Sequence, residues 1–205
     1  MYETKTLLTI VALLCAILAY YNYLKDIFKG NTRPHAFTWL VWCTMSTVAF
    51  FSQVNGGGGV GTWVLAFTAV MNFIIFILSV YKGQTNITNL DWLCLMGAFL
   101  GVALFTINDS QVLALVIISA VDVIGFIPTV RKSLTKPYEE TIVTFGFTSL
   151  KYIFAIMALE NYSFTTVYYP IVVATTNALF VVLLIQLRLR IPPPTQKAAA
   201  KKRAK

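Results

Sequence analysis

Seven apolar stretches, most near the ~20 residues that a helix needs to cross a bilayer, divide the chain at 7–24, 36–53, 62–81, 92–107, 112–130, 141–159 and 167–187. The connections between them are short and polar, and only the segment after Arg188 is long and polar. The pattern predicts an all-α integral membrane protein of seven transmembrane helices. Trp63 and Trp92 at the starts of two stretches, and Tyr168 and Tyr169 near another, suit the aromatic belt of a membrane interface. The first stretch follows Glu3 and runs into Tyr20-Tyr21-Asn22-Tyr23 with no small-residue cleavage site, so it reads as a retained helix and not a signal peptide.

Internal repetition groups the stretches as three, one and three. Asn72 and Asn177 stand 105 positions apart within TAVMNFIIFILSVYKG and VATTNALFVVLLIQLR. Thr38-Trp39 and Thr144-Phe145 are 106 apart, as are Lys25 and Arg131. These matches predict a first three-helix unit (1–86), a linker helix (87–110), a second unit (111–188) and a solvated, disordered basic tail (189–205). A single linker helix lets both units insert with the same orientation, giving a parallel repeat about an axis along the membrane normal.

Charge orients the bundle. The N-terminus and the second, fourth and sixth connections carry only Lys5, whereas the first, third and fifth connections and the tail carry fourteen Lys and Arg, with Lys151 left inside a stretch. Basic loops stay cytoplasmic, so the N-terminus is expected outside and the C-terminus inside, in a multi-pass protein of the cell membrane. A 58% hydrophobic, 12% charged composition is too apolar for a soluble domain of this length. The net charge of +8 accordingly points to anionic lipid headgroups and not to nucleic acid. Cys15, Cys43 and Cys94 fall inside stretches at unrelated spacings and suggest neither disulfides nor a metal site. Gly56–Gly59 lacks the Lys-Ser/Thr of a phosphate loop and reads as a turn. Asn161-Tyr162-Ser163 spells a glycosylation sequon, meaningful only in a eukaryotic source. No catalytic constellation, cofactor motif or metal spacing stands out, so an enzyme is not expected.

The segment Gly125-Phe126-Ile127-Pro128-Thr129-Val130-Arg131-Lys132 resembles the proline-centred turn of PQ-loop proteins, with Pro-Thr where that family has Pro-Gln. The 3+1+3 plan resembles that of the SWEET transporters. Asn72 and Asn177 match the substrate-pocket asparagines of that family. The resemblance covers all but the tail, and implies a carrier for a sugar or similar metabolite.

Depth along the helices points to the same place. At ~1.5 Å per residue, Asn72, Asn177, Asp122 and Lys151 all fall near the midplane of a ~30 Å hydrocarbon core, where transporters hold their substrates. A charge there costs ~3 kcal/mol on insertion scales, so Asp122 and Lys151 are expected to face inward. They read either as a proton- or ion-coupling switch or as a static ion pair between the fifth and sixth helices. The first unit lacks both charges, the related positions falling near Ala16 and Ser46. Asn72 and Asn177 read as solute ligands or as interhelical hydrogen bonds. Pro128 reads as a hinge or a tolerated kink. Trp42 and Phe50 in the second stretch, with Phe147 and Phe154 in the sixth, are candidates to stack on a solute, though such aromatics commonly only pack. His35, Glu139 and Glu140 sit at the cytoplasmic mouth, the glutamates as partners for basic residues when an inner gate closes.

The expected function is a carrier moving a small polar solute by alternating access, with the bilayer as its environment and a homo-oligomer compatible with the sequence. A receptor or sorting protein on the same scaffold, binding a ligand without moving it, is the alternative. A retinal photoreceptor fits poorly, since the buried lysine is on the sixth stretch and not the seventh.

Overall fold

The computed structural model describes residues 2–30, 34–83, 87–107 and 111–191. Arg33, Asp109 and the tail beyond Ile191 lie outside the described residues, as do the side chains of Pro128, Arg131, Lys132 and Glu139. Among the described residues the chain is all-α. Its helices are α1 (Tyr2–Phe28), α2 (Ala36–Asn55), α3 (Trp63–Lys82), α4 (Asn89–Phe105), α5 (Gln111–Thr135), α6 (Ile142–Ala158) and α7 (Phe164–Arg190), with short 3-10 turns at Gly59–Thr62 and Pro137–Glu139.

Four stretches are long and apolar enough to cross a membrane: Tyr2–Phe28, Ala36–Asn55, Gly59–Lys82 and Phe164–Arg190. Shorter apolar helices run over Asn89–Phe105, Gln111–Ile127 and Ile142–Ala158. The exterior is apolar, with Leu7, Leu14 and Ile17 of α1 and Met96, Phe99 and Leu100 of α4 exposed. Among its mostly apolar residues the interior also holds Asn72, Asp122, Ser149, Lys151 and Asn177. Apolar exposure with polar groups turned inward suits a hydrocarbon solvent, in which polar groups must find partners inside the bundle.

Two helix triplets pack in the same order. α3 lies against both α1 and α2, and α7 lies against both α5 and α6. α1 packs along α6 on one side of the bundle, while on the other α4 lies against both α2 and α5. Tyr20, Trp39 and Ile75 share one apolar cluster; Phe126, Phe145 and Phe180, 105 or 106 positions later, share another. Close approach of α4 to α5 depends on Gly97 and Gly101, spaced by one turn. A Cβ at Gly101 would sit 2.5 Å from Ile118 Cγ2.

Local chemistry sets the helix ends. Thr88 caps α4: its backbone N–H donates to Asp91 Oδ2 at 2.7 Å, and its hydroxyl accepts from the Asp91 N–H at 3.4 Å. Ser163 precedes α7, and its N–H donates to Thr166 Oγ1 at 2.9 Å. The glycine run forms a packed turn in which Gly57 and Gly59 take φ of 70° and 65°, backbone that other residues rarely adopt. Pro170, inside α7, has no N–H for the Thr166 carbonyl one turn earlier. Gln53 Nε2 of α2 donates to that oxygen instead, at 2.7 Å.

Candidate functional site

A cavity of about 710 Å³ occupies the centre of the bundle. It runs from the level of Lys151 and Tyr169 to the end of the bundle where α1 finishes and α2 and α6 begin. Asp26, His35, Tyr138 and Glu140 line it there. His35 Nε2 lies 3.8 Å from Asp91 Oδ2 at this mouth.

The wall is built from repeated positions. Asn72 on α3 and Asn177 on α7, 105 apart, both line it. So do Tyr20 and Phe126, and Trp39 and Phe145, each pair 106 apart. Thr38 with Thr144, and Trp42 with Thr148, repeat the same spacing. All three helices of each triplet thus present the same register of side chains to the shared space.

The asparagines differ in what they do. Asn72 is fully engaged: Oδ1 accepts from Tyr20 OH at 2.8 Å, while Nδ2 donates to the Trp42 carbonyl at 3.1 Å and to Ser46 Oγ at 3.3 Å. It joins α1, α2 and α3. Asn177 Nδ2 donates only to the Val173 carbonyl of its own helix, at 2.8 Å. Its Oδ1 has no hydrogen-bond donor among the described residues and belongs to the cavity wall.

Asp122 and Lys151 line the same cavity, 6% and 2% exposed, yet among the described residues they close no salt bridge. The Lys151 ammonium donates to Thr68 Oγ1 at 3.2 Å and sits over the Tyr152 ring at 4.3 Å and the Tyr20 ring at 5.4 Å. The Thr68 hydroxyl hydrogen is spent on the Val64 carbonyl at 2.7 Å, which leaves its oxygen to accept from Lys151. Asp122 has no hydrogen-bond donor among the described residues. The geometry is an acidic and a basic side chain facing one space without a direct bridge between α5 and α6.

Of the aromatic candidates, Trp42 lines the cavity and meets the Trp39 ring edge-on at 5.0 Å. Phe154 does not: it packs against Ala12, Val64 and Ala155 between helices. Phe50 packs with Phe51 and Trp63. Tyr169, expected in the interfacial belt, is 4% exposed and lines the cavity, while Trp63 and Trp92 are more than half exposed. Pro128 lies within α5, and its expected hinge role rests on a side chain outside the described residues. The sequence reading missed Tyr20, Thr68, Phe126 and Tyr152. The 106-residue spacing that matched Thr38-Trp39 to Thr144-Phe145 would have found Tyr20 and Phe126.

The opposite end of the bundle is sealed by hydrogen bonds between the two triplets. Asn161 Nδ2 donates to the Gly56 carbonyl at 2.8 Å, and the Glu160 N–H to the Gly58 carbonyl at 3.1 Å. The Asn161 amide of the sequon is therefore committed to this closure. Lys5 Nζ donates to the Met157 carbonyl at 2.7 Å and to Tyr162 OH at 3.1 Å, placing a cation where the last turn of α6 leaves its carbonyls. At the other end Arg188 pins the connection between α5 and α6, donating to the Pro137 carbonyl at 3.0 Å and the Glu140 carbonyl at 2.6 Å.

Compared with known proteins, the chain matches no family model, no curated protein and no solved structure.

Proposed function

We propose that the chain is a multi-pass carrier of the cell membrane, PQ-loop/SWEET-like in plan, that moves a small polar solute by alternating access. In this reading all seven helices cross the bilayer with the N-terminus outside, as the distribution of basic residues favours. The single observation that carries it is the central cavity. It is lined by repeat-related positions of both triplets, reaches one end of the bundle and is sealed at the other. A volume of about 710 Å³ falls within the roughly 300–1,000 Å³ usual for small-molecule sites.

With that orientation the cavity faces the cytoplasm. The opposite state requires the seal around Gly56–Gly58 and Glu160–Asn161 to part while the mouth at Asp26 and Glu140 closes. Transport then needs no covalent step, only a site that prefers the solute in both states. The test is solute uptake and counterflow in proteoliposomes with a panel of sugars, amino acids and vitamins, comparing wild type with Asn177→Ala. Saturable flux that the substitution abolishes supports the carrier. Saturable binding without flux for every solute would replace it with the receptor.

A further inference from the structure

Resting on the carrier reading, we infer that the solute is a zwitterion with a protonated amine, such as an α-amino acid, its carboxylate held at Lys151 and its ammonium at Asp122 and Asn177. The starting observation is that Asp122 and Lys151 are both buried, both line one cavity, and do not close on each other. The two groups interact across the cavity without a direct hydrogen bond, so their mutual attraction offsets burial only in part, and a solute that bridges the gap completes the compensation. An uncharged solute such as a sugar would displace water from both groups and neutralise neither. A simple anion would satisfy Lys151 and leave Asp122; a simple cation would do the reverse. A dipolar solute of no net charge satisfies both at once.

The hydrogen-bonding inventory separates the two ends. Around Lys151, Thr68 has already given its proton to Val64 and Tyr20 has given its proton to Asn72, so the donors on offer are the ammonium and the hydroxyls of Tyr152 and Tyr169 beside it, a set suited to a carboxylate. Tyr20 and Tyr152 flank that ammonium and hold it in place. Asp122 on α5 and Asn177 on α7 offer acceptors instead: the carboxylate and Asn177 Oδ1, whose amide orientation is fixed by the bond from Nδ2 to Val173. An N–H-bearing cation meets two acceptors there, whereas a quaternary nitrogen could use neither as a hydrogen-bond partner. The positions 106 residues earlier, Ala16 and Met45, are both fully buried and apolar. The polarity of the solute is therefore set by one repeat alone, which gives it one orientation in a site of otherwise two-fold design.

The test uses the full chain in nanodiscs and in proteoliposomes, with the twenty α-amino acids, glycine betaine, glucose, and the two half-analogues of leucine, 4-methylpentanoate and isoamylamine. At least one amino acid should bind saturably, and neither half-analogue should. Asp122→Asn and Lys151→Met should each weaken that binding by about thirtyfold or more, the loss typical of removing one partner of a buried charged contact. The double variant Asp122→Asn/Lys151→Met has no lone buried charge, should melt no lower than wild type, and should bind no amino acid. Amino-acid binding that survives in this double variant would overturn the inference, as would saturable glucose uptake without any amino-acid binding, or no binding across the panel. Glucose uptake would leave the carrier reading standing, whereas amino-acid binding without flux would sink the carrier and keep the ligand class.

Discussion

The Gln53 amide occupies the carbonyl of Thr166 that Pro170 leaves without a helical donor, a 2.7 Å bond from α2 into α7. A proline inside a membrane helix is tolerated when a neighbour satisfies the freed oxygen, and here the neighbour belongs to the other triplet. Gln53→Ala should cost about 1–3 kcal/mol by leaving that buried acceptor unmet. In a Pro170→Ala background the new N–H can take over, so the same substitution should cost less than half as much. A double-mutant cycle of unfolding free energies in detergent measures the difference. Equal costs in both backgrounds would show that the bond does not compensate the proline.

Asn72 and Asn177 occupy related positions but should fail differently. Asn72→Ala strips partners from Tyr20, Ser46 and the Trp42 carbonyl. It should lower stability by about 0.6–2 kcal/mol, as interhelical bonds in membranes do. Asn177→Ala removes one bond to a carbonyl of its own helix, so its melting temperature should stay within about 2 °C of wild type, as for a change worth under roughly 0.5 kcal/mol. Its solute binding should nevertheless fall. If Asn177→Ala proves the less stable of the two, the assignment of one asparagine to packing and the other to the site is reversed.

Much of this was legible in the sequence. The seven apolar stretches coincide with α1 to α7 because runs of that length and hydropathy leave the backbone few alternatives to helix. The helix ends were less legible: α1 extends to Tyr2–Phe28 and α7 begins at Phe164, where Lys5 and Ser163 supply local contacts that hydropathy does not weigh. Depth along a helix brought Asn72, Asn177, Asp122 and Lys151 to one cavity. Facing was harder. Phe154 and Lys151 lie three residues apart on α6, yet one packs against Ala12 and Val64 while the other faces the cavity. Depth alone left a coupling switch and a static pair both open for Asp122 and Lys151; in the structure Thr68 and two tyrosine rings hold the lysine. The Gly97–Gly101 spacing is a packing signal present in the sequence, and both glycines meet α5 side chains.

Arg188 looks like one more basic residue of the cytoplasmic flank, but its guanidinium holds the 137–140 connection through two carbonyls and lies 4.9 Å from the Tyr138 ring. Tyr138 OH in turn donates to the Arg188 and Ile191 carbonyls at 3.2 Å. Arg188→Gln should release this rim of the cavity mouth, at a cost of about 1–3 kcal/mol for bonds from a charged donor. Arg188→Lys should rescue only part of it, since an ammonium lacks the planar fork. Backbone amide exchange over 136–141 is the measurement. Unchanged protection in Arg188→Gln would mean that the connection is held by something else.

Gly61 packs against backbone at the sealed end: a Cβ there would lie 2.9 Å from both the Ala158 carbonyl carbon and the Leu159 nitrogen. These are backbone atoms at the end of α6, which cannot rotate aside. Gly61→Val should therefore wedge the α2–α3 turn from α6, costing the sealed state about 1–3 kcal/mol while leaving the cavity walls untouched. In a background with Cys15, Cys43 and Cys94 replaced by alanine, Thr148→Cys places a thiol in the cavity wall. In the orientation proposed above, an impermeant thiol reagent added outside intact cells should label it slowly when Gly61 is present. With Gly61→Val, labelling should rise by roughly fivefold or more, the population change that 1 kcal/mol brings. The wedge acts at the sealed end alone, so faster labelling from outside would report opening of that end and not general loosening. A folded Gly61→Val protein that labels no faster would show that the contact between Gly61 and α6 is not part of the gate.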